Sequence, residues 1–243
     1  MNSPPGNTSS LVQVRRYASV AVGAATVSLL CIWAARLLTP NVAYVSEMGA
    51  SGLPFSWLFN FSLMLLACAC LFLERSLKTL PLPPSRSWTL VRVSLFTSGG
   101  LWAFASTVTC THGCPTPFTK GSTVQDFLHI TAASAGFVCA IMLMFAVTVA
   151  SKQKYLQVFS VAALVLVAGA ASTGATLSLL RLNTHIGGWM EFLATTVAIG
   201  WFVCFGLFIR SHPAPTRRYE GRRRSTYQST PLSALQTRKK ERE

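Results

Sequence analysis

The chain has 243 residues, of which 51% are apolar and only 12% charged, with a formal net charge of +14 and a mean hydropathy of +0.45. A soluble domain carries about a quarter of its residues as charged side chains, so this composition points to an integral membrane protein. At about 20 residues per crossing, the length accommodates six or seven spans and leaves no room for a sizeable soluble catalytic domain.

From the N-terminus, residues 1–14, with Ser3-Pro4-Pro5-Gly6, predict a short flexible arm. Arg15 and Arg16 then lead into the first apolar run, 17–38. This run is too long for the core of a secretory signal, and no small-x-small cleavage site follows Cys31. Further runs fall at 54–73, 88–109, 127–150, 155–180 and 189–209. All mix Leu, Val and Phe with Ala, Gly, Ser and Thr, whereas a barrel strand would alternate apolar and polar residues over about ten positions. The expectation is an all-α polytopic membrane protein, a bundle of six transmembrane helices over 15–210. Arg36 and Arg92, near the ends of their runs, are long enough to snorkel to the headgroups.

The basic residues orient the bundle. With the N-terminus inside, Arg15, Arg16, Arg75, Lys78, Arg86, Arg92, Lys152, Lys154 and all the basic residues from Arg210 onward face the cytoplasm. Only Arg36, Lys120 and Arg181 remain outside. The positive-inside rule therefore predicts cytoplasmic N- and C-termini. The segment 211–243 reads as a disordered basic tail, in which Arg217, Arg218, Arg222, Arg223 and Arg224 are suited to anionic lipid headgroups. Nucleic acid is not expected as a partner.

In this topology the ionisable groups gather on the outer side. Glu47 lies in the first outer loop, His112 in the second, Asp126 and His129 at the mouth of the fourth helix, His185 in the third outer loop and Glu191 just inside the sixth helix. Asp126 and His129 are three residues apart and share a helix face, so the carboxylate can orient or charge the imidazole for general base work or metal ligation. His112, His185, Glu47 and Glu191 are the candidates for completing a metal set, with zinc the cofactor that such donors suit. The structural alternative has Asp126 capping the helix after Ser122 and Thr123 while His129 bonds a backbone carbonyl. Glu191 either faces a wet cleft or stabilises a helix N-terminus.

Five cysteines, Cys31, Cys68, Cys70, Cys139 and Cys204, fall within spans as small apolar residues. Cys110 and Cys114 stand on the outer side in Cys110-Thr111-His112-Gly113-Cys114-Pro115. In an oxidising compartment they can close a small disulfide loop presenting His112, with zinc binding through both thiols as the rival. No nucleotide-binding motif, nucleophile elbow or zincin helix is present.

Three segments carry a resemblance to the DUF998 family of bacterial six-helix membrane proteins. They are Tyr44-Val45-Ser46-Glu47-Met48-Gly49, Leu58-Phe59-Asn60, and the run from Cys110 through Gly113-Cys114-Pro115 to Asp126-Phe127-Leu128-His129. The resemblance implies six transmembrane helices and an outward polar cluster in a bacterial cytoplasmic membrane, and it names no substrate. A looser likeness to the membrane hydrolases that include alkaline ceramidases implies Ser, Asp and His residues holding zinc near one membrane face.

Three functions then compete. A non-enzymatic envelope protein binding lipid or a membrane protein partner needs only the bundle and its outer cleft. A metal-dependent hydrolase of an outer-leaflet lipid needs Asp126 and His129 to converge with the other donors. A proton-coupled carrier would be expected to keep its polar groups near the midplane, often with broken helices.

Overall fold

The computed structural model describes residues 6–211, apart from 41–43, 81, 83, 118 and 181. Among the described residues there are six α-helices and no strand: α1 (Gly6–Leu38), α2 (Ser56–Thr79), α3 (Arg86–Thr107), α4 (Val124–Ala150), α5 (Lys154–Leu179) and α6 (Thr184–Ser211). A single 3-10 turn, Ser46–Gly49, lies between α1 and α2. Five of the helices, all but α3, are long and apolar enough to cross a membrane. Through its length α3 carries Arg86, Arg92 and several Ser, Thr and Gly residues, which dilute its apolar character.

Each helix extends past its apolar run at one end or both, although α2 starts, and α3 and α5 end, just inside theirs. The largest extension is at the start of α1: residues 6–14, expected as part of a flexible arm, are helical from Gly6. The physical reason lies in packing, because Val14 is buried and its carbonyl accepts a hydrogen bond from Ser76 Oγ of α2 at 3.0 Å. Residues 1–5 and the basic tail from 212, with the five arginines expected to meet anionic headgroups, lie outside the described residues.

Each helix packs on its neighbours in sequence, and α6 returns against α1 to close the ring. In α1 the enclosed positions are Val14, Ala18, Ala21, Ala25, Ser28, Ile32 and Ala35. Their alternating spacing of four and three is the seam of a left-handed helix pair, and the small side chains allow close backbone approach. Ser28 Oγ uses that closeness to donate to the Ser62 carbonyl of α2 at 2.7 Å. Large apolar side chains point the other way: Leu30, Phe61, Phe96, Phe145, Val158 and Val165 are all exposed on the outside of the ring. An apolar exterior of this extent is what a lipid-facing surface requires.

Two arginines that the sequence suggests as snorkelling anchors have protein partners. Arg92 of α3 donates through Nε and Nη2 to Glu74 Oε1 of α2, at 3.1 and 2.9 Å. Arg36 at the end of α1 holds its guanidinium 5.1 Å from the centroid of the Trp189 ring on α6. Each contact joins helices adjacent in the ring.

Candidate functional site

The first part of α1 and the last turn of α6 meet at one end of the bundle, and the connections that carry Ser51 and Cys110 meet at the other. That second, loop end holds most of the polar chemistry. α4 begins there in a capping box: Thr123 Oγ1 accepts from the Asp126 N–H, while Asp126 Oδ2 accepts from the Thr123 N–H at 2.9 Å. A side chain three residues inside a helix reaches back to the N-cap in this way and satisfies donors that the helix cannot. Asp126 goes further than a cap. Its carboxylate also accepts the Thr111 N–H at 2.7 Å and the Thr111 hydroxyl at 2.9 Å, across the connection from α3. The side chain is fully enclosed.

His129 sits one turn below, and its Nδ1 lies 2.6 Å from the Val108 carbonyl at the end of α3. The hydrogen-bond partners of Asp126 are thus Thr111 and Thr123, and that of His129 Nδ1 is Val108. The two side chains share a face as the spacing predicts, but each is engaged with the α3–α4 connection and no hydrogen bond joins them among the described residues. Asp126 and His129 therefore fasten this connection to the start of α4.

The disulfide between Cys110 and Cys114 closes the turn in that connection, with Gly113 at a φ of +81°. Only glycine adopts this left-handed backbone without strain. Both half-cystines are buried against Ala50, with Leu53 and Ile130 beside them, and the Ser51 N–H donates to the Cys110 carbonyl at 2.8 Å. His112, at the tip of the turn, is exposed.

Glu191 works from the opposite side. Its Oε2 accepts the Val45 N–H at 3.0 Å, so a carboxylate on α6 anchors the segment that carries the 3-10 turn. Glu47 in that turn accepts the Tyr44 N–H at 3.4 Å. The Tyr44 ring covers Gly187 of α6, where an added Cβ would lie 3.3 Å from it. Asn60 Nδ2 of α2 holds the far side of the turn through the Gly49 carbonyl at 3.1 Å. His185 is exposed, its Nε2 accepting from Trp189 Nε1 at 3.3 Å.

The candidate metal donors consequently fall into separate groups. Glu47 and Glu191 meet at the Tyr44–Gly49 segment, Asp126 and His129 at the α3–α4 connection, and His112 and His185 face outward. Among the described residues no three His, Cys, Asp or Glu side chains are grouped so as to hold a metal ion. Thr111, Val45 and Asn60, which complete these contacts, stand in segments singled out in the sequence but receive no role there. A threonine, a backbone amide and an asparagine carry no signal until the fold supplies their partners.

Two cavities open beside the loop-end layer. One, of about 60 Å³, lies inside the ring and is lined by both His129 and Glu191, with Ser98 and Trp102 of α3 on its wall. The other is a groove of about 580 Å³ between α4 and α5, floored by Ala171, Gly174 and Ala175 and walled by Ile130, Phe137 and Ile141. Tyr44, Ser46, Thr116 and Glu191 stand at its loop end.

A family model described as a protein of unknown function (DUF998) matches residues 19–207. The chain belongs to the DUF998 family. No curated protein and no solved structure matches it. The DUF998 match takes in the capping box, the disulfide turn, the Glu191 anchor and the α4–α5 groove. It stops short of Arg15 and Arg16 on one side and of Arg210 on the other. Membership agrees with a multi-pass membrane protein and assigns no activity.

Proposed function

We propose that this DUF998 protein is a six-crossing protein of the bacterial cytoplasmic membrane that binds, without chemical conversion, an outer-leaflet lipid or lipid-linked molecule in the α4–α5 groove. The observation that carries this reading is the shape of the groove. From Ile130 to Ile141 its α4 wall rises by eleven steps of the helix, about 16 Å at 1.5 Å per residue. That is half of a hydrocarbon core about 30 Å thick, the depth of one leaflet. An acyl chain lying there would bring its polar end to Glu191, Ser46 and Thr116.

The placement of α3 supports a sixth crossing. It packs between α2 and α4, exposes Val93, Phe96 and Phe104 outward, and neutralises Arg92 with Glu74. The distribution of basic residues supports cytoplasmic termini and an outward-facing loop end. A disulfide at that end accords with an oxidising exterior. The alternative, a metal-dependent lipid hydrolase, draws less support, because Asp126 and His129 are engaged as structural fasteners and the other donors are dispersed.

The test uses full-length protein in nanodiscs containing a phospholipid with a photoreactive group midway along its acyl chain. Crosslinks concentrated on Ala133–Val138 of α4 and Ala171–Ala175 of α5, and lost in Ala171→Trp, are the expected result. Crosslinks spread equally over the outward faces of α3 and α5, unchanged by Ala171→Trp, would overturn it.

A further inference from the structure

At the terminal end of the bundle, α1 and α6 frame a third cavity of about 520 Å³, lined by Arg15, Arg16, Ser19, Leu207, Arg210 and Ser211. Arg15 and Arg16 lie in the third turn of α1 and Arg210 in the last turn of α6, so residues far apart in sequence meet because the ring closes. Among the described residues no carboxylate lines this cavity. Two arginines elsewhere on the helices are matched within the protein, Arg92 by Glu74 and Arg36 by the face of Trp189. Retention of topology explains why basic residues lie at this end, but it needs neither convergence nor a concavity.

We propose that this cavity is a binding site for the phosphate of an anionic phospholipid headgroup. Guanidinium groups present several donors in a fixed fork that matches phosphate oxygens, and two or three around one anion give charge-assisted bonds. Leu207 in the lining offers apolar surface to the glycerol and upper acyl chain. The arginines' position at the ends of two membrane-crossing helices sets the guanidiniums at headgroup depth, where basic pockets between helices bind anionic lipids. The site is independent of the α4–α5 groove, which lies at the opposite end of the bundle.

The test measures lipid retention by native mass spectrometry on the full chain in neutral detergent at physiological salt. The lipids added are phosphatidylglycerol or phosphatidylcholine, with inorganic phosphate as a third arm. The wild type should retain one phosphatidylglycerol in preference to phosphatidylcholine. The triple variant Arg15→Gln, Arg16→Gln, Arg210→Gln should lose that preference by about tenfold or more. A second variant, with Arg217, Arg218, Arg222, Arg223 and Arg224 changed to Gln, should keep it, which separates the pocket from the basic tail. Should the triple variant insert poorly, Arg210→Gln alone, at an exposed position, should weaken retention in the same direction. Unchanged retention in the arginine variants, its loss in the tail variant, or displacement of the lipid by millimolar inorganic phosphate would each overturn the proposal.

Discussion

Thr111 grips Asp126 with both its backbone N–H and its hydroxyl, and the hydroxyl lies 2.9 Å from each carboxylate oxygen. One residue of the α3–α4 connection thus supplies two of the donors to a fully enclosed carboxylate, and Thr123 supplies the others through its N–H and hydroxyl. Asp126→Asn replaces an acceptor oxygen with a donor facing Thr111 or Thr123, leaving enclosed N–H and O–H groups unmatched. Such losses cost about 1–3 kcal/mol per group, so unfolding in detergent should show a destabilisation of about 2–3 kcal/mol. Thr111→Val removes the hydroxyl while keeping the N–H and should cost less, about 1–2 kcal/mol. Equal stability of Asp126→Asn and wild type would show that the carboxylate is not needed for the fold.

Gly136 of α4 meets Trp102 of α3 so closely that an added Cβ would lie 2.9 Å from the indole. Gly136→Ala should destabilise the bundle by about 1–3 kcal/mol, the range for an overfilled interior. Gly169 of α5 has nothing within 4 Å of the same position. Gly169→Ala should leave stability unchanged or raise it by up to about 1 kcal/mol through helix propensity. Thermal unfolding of both variants in one detergent checks the contrast, and a reversed order would contradict the α3–α4 packing described above.

The Arg92–Glu74 pair joins α2 to α3, with Arg92 40% and Glu74 14% exposed. Partial exposure limits its worth, so a double-mutant cycle of Arg92→Gln and Glu74→Gln should give a coupling of about 0.5–1 kcal/mol. A coupling of zero would mean that each residue interacts with its surroundings independently.

The course of the helices was legible in the sequence because each carries a long apolar run in which charges are rare, Arg36, Arg92 and Glu191 being those within the runs. Their ends were less so. α2 continues through Glu74, Arg75 and Lys78 to Thr79, since a helix remains favourable in the headgroup region after its apolar run has ended. The seam of α1 was also written in the sequence, at Val14, Ala18, Ala21, Ala25, Ser28, Ile32 and Ala35. It was masked because the lipid-facing positions between them are apolar too, so hydropathy has no contrast to detect. In the candidate site, Thr123 and Asp126 stand at capping-box spacing and could be read directly. The contacts of Asp126 with Thr111, Asn60 with Gly49 and Glu191 with Val45 depend on how the loop end assembles, which local pattern does not encode.

The bond between Glu191 and Val45 spans 146 positions of the chain. A polypeptide made from its N-terminus exposes Val45 long before Glu191 has been synthesised. Asn60 of α2 can hold the Gly49 end of the Tyr44–Gly49 segment early, but the Val45 end gains its anchor only once α6 is in place. Completion of this one contact reports that the final hydrophobic segment has entered the membrane and found the first, which makes α6 the keystone of assembly rather than simply its last addition.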